Sequence, residues 1–189
     1  MKKILLLITA LFGFHFLSAQ TDDAALKNNA RVDLSLAGLG ITYEQPVSKK
    51  ILLEGSIGLG AGYWISSGDF NYRWYLNDPV AFFSLGGKYF YNRQKRLENS
   101  NSLLFNSGNY FGIHAKYTTK TLRFDDNWET MLIGAHWGIQ KSIGKHFSWG
   151  LNLGLGYAFD MSSYKDGGSL YPDINVRISY ILPFIGNNK

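Results

Sequence analysis

The segment from Trp149 to Asp160 alternates strictly between large apolar residues and small or polar ones. Its odd positions are Trp149, Leu151, Leu153, Leu155, Tyr157 and Phe159, and its even positions are Gly150, Asn152, Gly154, Gly156, Ala158 and Asp160. A period of two predicts a β-strand with one apolar face. Aromatic residues on both sides of an aliphatic middle are typical of a strand that crosses a bilayer, because rings favour the headgroup layers. The small opposite face would then line a narrow lumen.

The same alternation recurs along the chain and predicts an all-β fold, an antiparallel up-and-down transmembrane β-barrel of eight strands. The apolar face shifts by one position at Gly38, so the first strand should hold a β-bulge or a tight reversal at 38–40. In an alternative assignment, the Gly38 break is a true hairpin and Phe70–Leu76 is a loop, which places the turn Pro46–Lys49 with the other short turns but leaves two very short strands. The remaining strands are expected at Ile51–Ile65, Phe70–Leu76, Ala81–Tyr91, Asn109–Thr119, Met131–Ile139, Trp149–Asp160 and Ile174–Phe184. Within the connection 92–107, a short helical turn is expected around Leu103–Phe105.

The first residues have the pattern of a secretory signal peptide. Lys2 and Lys3 precede an apolar run from Ile4 to Leu17, and small residues follow at Ser18 and Ala19. The predicted organisation is a signal peptide at 1–19, a flexible lead-in at 20–30, the barrel at 31–184 and a tail at 185–189. The chain has no cysteine, and its net charge of +5 is too small to favour nucleic acid as a partner.

The predicted inward faces carry a set of polar and charged side chains of both signs. In a narrow barrel these side chains should pair and plug the lumen, because an unpaired buried charge is costly. The predicted lumen network is Glu54, Lys88, His114, Lys116, His136, Asp173 and Arg177, with Gln140 and Asn152 on the same faces. Two histidines without a third nearby ligand are a weak metal signal, so the sequence predicts no metal site. It also predicts no cofactor, because the glycines of the GLGAG run lie on alternate residues of a strand that no helix follows.

Several stretches are similar to the small outer-membrane β-barrel proteins of Gram-negative bacteria, a poorly characterised type that is abundant in Bacteroidota. The stretches are SAQ in the leader, ITYEQPVSKKILLEGSIGLGAGYW, the connection from KYFYNRQKR to NSGNYFG, HWGIQKSIGKHFSWGLNLGLGYAF and DINVRISYILPF. The resemblance implies an outer-membrane location, contact with outer-membrane lipid and lipopolysaccharide, and recognition of the C-terminal strand by the barrel-assembly machinery. It leaves the role of the protein open.

The leading functional prediction is a monomeric, non-enzymatic barrel with a plugged lumen and a structural or surface-interaction role, with loops such as Met161–Leu170 outside. One alternative is a narrow channel for small solutes. A second alternative is an outer-membrane lipid hydrolase, since His146, Ser148 and the later Asp160 are the residue types of a hydrolytic triad. By strand parity His146 and Ser148 belong to the inward face at one end, and Asp160 to the far end, so the hydrolase is the weaker alternative.

Overall fold

The computed structural model describes residues 24–66, 69–73, 79–121, 129–161 and 168–183. The predicted signal peptide, the connection 122–128, most of the loop Met161–Leu170, and Phe184 with the tail therefore lie outside the described residues. Within those residues, no helix has the length and apolar character needed to cross a membrane.

Eight antiparallel strands close into a barrel in the order β1-β10-β9-β8-β7-β6-β3-β2, which confirms the prediction of an all-β, eight-stranded antiparallel barrel. A separate pair, β4 and β5, forms a two-stranded sheet between β3 and β6. The strands are β1 (Asn29–Ser35), β2 (Gly38–Pro46), β3 (Ile51–Gly60), β4 (Gly62–Ser66), β5 (Asp69–Arg73), β6 (Val80–Phe90), β7 (Gly108–Thr121), β8 (Thr130–Ile143), β9 (Phe147–Asp160) and β10 (Ser169–Ile181). A helix α1 (Arg93–Glu98) and a 3-10 turn (Leu104–Asn106) lie between β6 and β7.

Strands β6 to β10 follow the alternation of their sequence. In β9, Leu153 and Leu155 are exposed on the outer surface, whereas Asn152 and Ala158 are buried in the lumen. On β9, large apolar side chains therefore lie outside the barrel and polar or small ones inside.

The predicted number of strands is right. In the N-terminal half the segments assigned to the strands by the leading prediction are wrong, and the hairpin at Gly38 of the alternative assignment is confirmed. The shift at Gly38 is a hairpin: β1 and β2 are separate strands that pair from Ser35 and Gly38 onward. Gly38 has φ +131°, a backbone conformation that side chains with a Cβ rarely adopt. The sharp reversal therefore depends on this glycine.

The predicted third strand, Phe70–Leu76, is not part of the barrel. Its described part, β5, pairs only with β4, from Gly62–Arg73 to Ser66–Asp69. The predicted second strand also ends earlier, because β3 stops at Gly60 and the chain then turns into β4. The β1–β2 hairpin thus replaces the strand lost to the β4–β5 sheet, and the count of eight is preserved.

Both chain ends of the barrel lie at one rim, here called the termini end. The turn 47–50, the connection 91–107 and the turn 144–146 share this rim. The opposite rim, the hairpin end, carries the β1–β2 turn, the β4–β5 sheet and the C-terminal ends of β7 and β9. Counting β1 and β2 as separate strands therefore puts the short turn after Pro46 and the turn after Ile143 at the same end.

The termini end is closed by the connection 91–107 and by the start of the described chain. Leu26 packs with Leu52, Phe90 and Tyr110 in a buried apolar cluster. Arg93 of α1 donates to the carbonyl oxygens of Ala24 (2.8 Å), Ala25 (2.9 Å) and Ser107 (3.0 Å). Burial, and then the neighbouring Arg96, lower the pKa of Arg93 to about 10, so it stays cationic at neutral pH. Residues 24–28, expected to be a flexible lead-in, are thus hydrogen-bonded to the barrel rim.

The hairpin end is covered by the β4–β5 sheet. Tyr63 and Ile65 of β4 are buried against the lumen residues Leu132, Ala158 and Tyr171. Phe70 of β5 stacks on Tyr63 and on Tyr171, with ring centroids 5.4 and 5.0 Å apart. The aromatic side chains of this sheet therefore cap the lumen.

Candidate functional site

The barrel lumen collects the polar side chains of the inward faces. The structure places all seven predicted network residues there: Lys88, Lys116, His136, Asp173 and Arg177 are buried, and Glu54 and His114 are largely so. Six of them belong to two groups, one toward the termini end and one beneath the β4–β5 sheet, and the seventh, Arg177, is hydrogen-bonded to Gln140.

The first group, here called the Arg31 cluster, consists of Arg31, Asp33, Glu44, Glu54 and Lys88. Arg31 lies 2.9 Å from Asp33 and 3.0 Å from Glu54, and it also contacts Glu44. Lys88 lies 2.6 Å from the Glu54 carboxylate and 3.5 Å from that of Glu44. Every carboxylate of the cluster therefore faces at least one cation, which offsets the cost of burying it.

Arg31, Asp33 and Glu44 are central to this cluster, yet they are absent from the predicted network. The signal was present in the sequence, because Arg31 and Asp33 alternate with Val32 and Leu34, and Glu44 follows Tyr43 on the opposite parity. Because β1 and β2 were predicted as one strand with a bulge, the inward face that these three residues share was missed. With them, the cations Arg31, Lys88, Lys116 and Arg177 are matched in number by the carboxylates Asp33, Glu44, Glu54 and Asp173.

The second group, here called the His114 cluster, consists of His114, His136, Asp173, Tyr171 and Lys116. The Asp173 carboxylate lies 2.9 Å from His136 Nδ1 and 3.5 Å from His114 Nδ1. The Tyr171 hydroxyl lies 3.3 Å from His114 Nε2. Lys116 donates to the Tyr63 hydroxyl at 3.0 Å and lies 4.5 Å from the centre of the Phe82 ring. The two imidazoles of this cluster thus converge on a single carboxylate.

Inward side chains of two strands that are separated by a third strand can meet, because the strand between them carries a glycine at that position. In the register, Gly154 of β9 lies between His136 of β8 and Asp173 of β10, and these two side chains bond across it. Gly150 lies in the same way between Gln140 and Arg177, whose guanidinium donates to the Gln140 amide oxygen. A Cβ at residue 154 would lie 2.1 Å from the Ala135 carbonyl oxygen, and one at residue 150 would lie 2.9 Å from Arg177 Nε. The inward glycines therefore provide the space in which the polar pairs form.

A cavity of about 170 Å³ lies inside the barrel between the two clusters. Its wall includes Arg31 and Glu54 on one side, and His114, Lys116 and Asp173 on the other. Phe70 and Tyr72 of β5 border it at the hairpin end. The lumen thus contains a small cavity beneath an aromatic cap, and charged residues of both clusters line it.

The residues of the hydrolase alternative are not brought together. His146 is exposed in the turn that precedes β9, whereas Ser148 is buried in the lumen at the start of the same strand. Asp160 is at the other end of β9, paired with Thr130. Twelve residues of extended strand correspond to about 40 Å, which is far beyond the reach of a hydrogen bond between nucleophile, base and acid.

No protein-family model, no curated protein and no solved structure matches this chain.

Proposed function

We propose that this chain is an outer-membrane β-barrel protein of a Gram-negative bacterium, exported by its N-terminal signal peptide, with a plugged lumen and a structural or surface-interaction role. The observation that carries the proposal is the outer face of the barrel. On that face, the exposed side chains of every barrel strand are predominantly apolar, and they form a belt around the closed sheet.

Branched aliphatic residues occupy the middle of the belt. Leu155 is 69% exposed, Ile113 66% and Leu34 60%, so most of the surface of each of these side chains is left uncovered by the described residues. Large contiguous apolar surfaces are rare on water-soluble monomers, and an outward apolar band is what a closed barrel presents to hydrocarbon. Lipid is therefore the environment in which this surface is favourable.

Aromatic side chains lie on both sides of the belt. Toward the termini end they include Tyr43, Tyr89, Phe111, Phe147 and Tyr180, and toward the hairpin end Phe83, Tyr157 and Phe159. Trp137 donates its indole N–H to the Tyr91 hydroxyl at 2.8 Å. Two aromatic rows separated by aliphatic residues match the girdles found at the two membrane interfaces.

The proposed partners follow from this placement. Outer-membrane lipid and lipopolysaccharide would contact the belt, and the barrel-assembly machinery would engage β10, the last strand to close the sheet. The ion pairs and the aromatic cap support a plugged lumen. In that case the barrel acts as a structural component of the envelope, or its loops bind a partner at the surface. The proposal assigns the protein no catalytic activity and treats it as a monomer.

A test uses the absence of cysteine from the sequence, which lets a single spin label be introduced at any position. A label at Leu153→Cys, in the middle of β9, should be accessible to oxygen and protected from a polar relaxation agent in lipid vesicles. A matched label at Lys145→Cys, in the exposed turn at the termini end, should show the opposite behaviour. Equal access of the polar agent to both labels would contradict the proposal.

The lumen cavity favours a second candidate function, a narrow channel for small solutes. Planar-bilayer recordings distinguish the two functions, because a plugged lumen gives no discrete openings. Reproducible single-channel steps with the unmodified chain would establish the channel instead. Deleting residues 62–73, which removes the β4–β5 sheet, tests whether this cap contributes to blocking the lumen.

A further inference from the structure

The geometry points to a binding site for one divalent transition-metal ion in the lumen, held by His114, His136 and Asp173. One ligand atom from each of these residues lies within 4.8 Å of the other two. Two ligands bound to one ion at about 2.0–2.2 Å each are themselves about 3 to 3.5 Å apart. The measured separations from Asp173, 2.9 Å to His136 Nδ1 and 3.5 Å to His114 Nδ1, fall around this range.

The two imidazoles present the same nitrogen to the site. His114 Nε2 lies 3.3 Å from the Tyr171 hydroxyl, so its Nδ1 is the atom left to face Asp173. His136 Nε2 is buried and has no hydrogen-bond partner among the described residues, which leaves Nδ1 as the polar contact of that ring. The Tyr171 contact is the kind of outer partner that fixes the orientation of a metal-binding histidine.

Gly154 and Gly134 give the site its space. Gly154 lies in the register between His136 and Asp173, and Gly134 lies beside His114. A Cβ at residue 134 would lie 2.8 Å from His114 Cε1 and 3.0 Å from the Asp173 carboxylate. The three potential metal ligands therefore lie next to glycines, which have no side chain and leave space for an ion.

The donor set determines the class of ion. Two imidazole nitrogens and one carboxylate oxygen suit Zn²⁺, Co²⁺, Ni²⁺ or Cu²⁺, whereas Mg²⁺ and Ca²⁺ prefer oxygen ligands alone. All three residues also border the 170 Å³ cavity, so a fourth position would be open to water or to a small anion. Lys116 borders the same cavity, and its positive charge would oppose a cation there.

The test measures metal binding to the full-length mature chain, purified in detergent without a histidine tag. Zn²⁺ is titrated in competition with a chromophoric chelator at neutral pH. The expected result is one ion per chain, with affinity at least about tenfold lower in His136→Gln and in Asp173→Asn. His146→Gln removes an exposed turn histidine outside the lumen and should leave the affinity within about twofold. Zn²⁺ binding that is absent, or that depends on His146 and not on His136, would overturn the inference.

Two further measurements do not depend on how well the ligand variants fold. The electron paramagnetic resonance spectrum of Cu²⁺ bound to the unmodified chain should show coupling to two nitrogens, and a spectrum without nitrogen coupling would contradict the site. Lys116→Met removes the neighbouring charge while keeping the length of the side chain, and it should tighten Zn²⁺ binding severalfold. Unchanged or weaker binding in this variant would contradict an ion beside Lys116.

Discussion

The two clusters of the lumen use buried polar residues in different ways. In the Arg31 cluster, three carboxylates surround two cations, and each carboxylate has a cation within 3.5 Å or in direct contact. In the His114 cluster, one carboxylate faces the Nδ1 atoms of two imidazoles, at 2.9 and 3.5 Å. The difference indicates that charges near the termini end are neutralised by one another, whereas the side chains under the cap bring three potential metal ligands together.

Replacing Arg31 should have the largest effect, because it tests whether the Arg31 cluster holds the barrel together. Arg31→Met leaves Asp33, Glu44 and Glu54 with fewer cations, and removing one partner of a buried ion pair costs about 3–5 kcal/mol. Urea unfolding of the barrel in lipid vesicles measures the loss. Lys141→Met, at an exposed position, is the matched control and should change the free energy of unfolding by less than about 0.5 kcal/mol. A similar small loss for both variants would remove the distinction between the clusters.

Filling the gap at Gly154 should have an intermediate effect on the His114 cluster. A Cβ there would lie 2.1 Å from the Ala135 carbonyl oxygen, a backbone atom that no side-chain rotation can move. Gly154→Ala should therefore destabilise the barrel by about 1–3 kcal/mol, as overpacking does elsewhere. The control is Gly87→Ala, whose added Cβ would meet only Leu53 Cδ2 at 3.7 Å. If both alanine variants unfold at the same urea concentration, the gap is not needed for the polar pair across it.

Removing the Tyr171 hydroxyl should have the smallest effect. Tyr171→Phe loses the contact of 3.3 Å to His114 Nε2, and a hydrogen bond of this kind contributes about 0.5–1.5 kcal/mol. Tyr157→Phe, on the outer face of β9, is the control and should lie near zero. A loss in Tyr171→Phe as large as in Arg31→Met would show that the second cluster is as essential to stability as the first.

The sequence predicts the C-terminal part of the fold well because each of its strands carries its own signal. In β9 and β10 the alternation is unbroken, and the inward positions of Asp173 and Arg177 follow directly from parity. In the N-terminal part, the alternation pattern is compatible with more than one strand assignment. Gly38 is compatible with a bulge as well as with a hairpin, and local pattern does not distinguish them.

The β4–β5 sheet shows a second limit of local reasoning. Phe70 and Tyr72 alternate with polar residues as barrel strands do, and only the packing of Phe70 on Tyr63 and Tyr171 places this segment across the lumen. The same limit applies to the site. Parity places His136 and Asp173 inside, but their meeting across Gly154 depends on the register of three strands, which the sequence alone does not fix.

The pairing of β1 with β10 closes the barrel, and it would allow the sequence to be circularly permuted. The two strands pair from Arg31–Ile181 to Ser35–Arg177, and the Leu182 amide donates to the Ala30 carbonyl at 2.9 Å. Since both ends of the barrel chain meet at one rim, a linker could join them and new ends could be opened in the turn 144–146. Such a circular permutant would retain every pairing of the ring, because a closed sheet has no first strand.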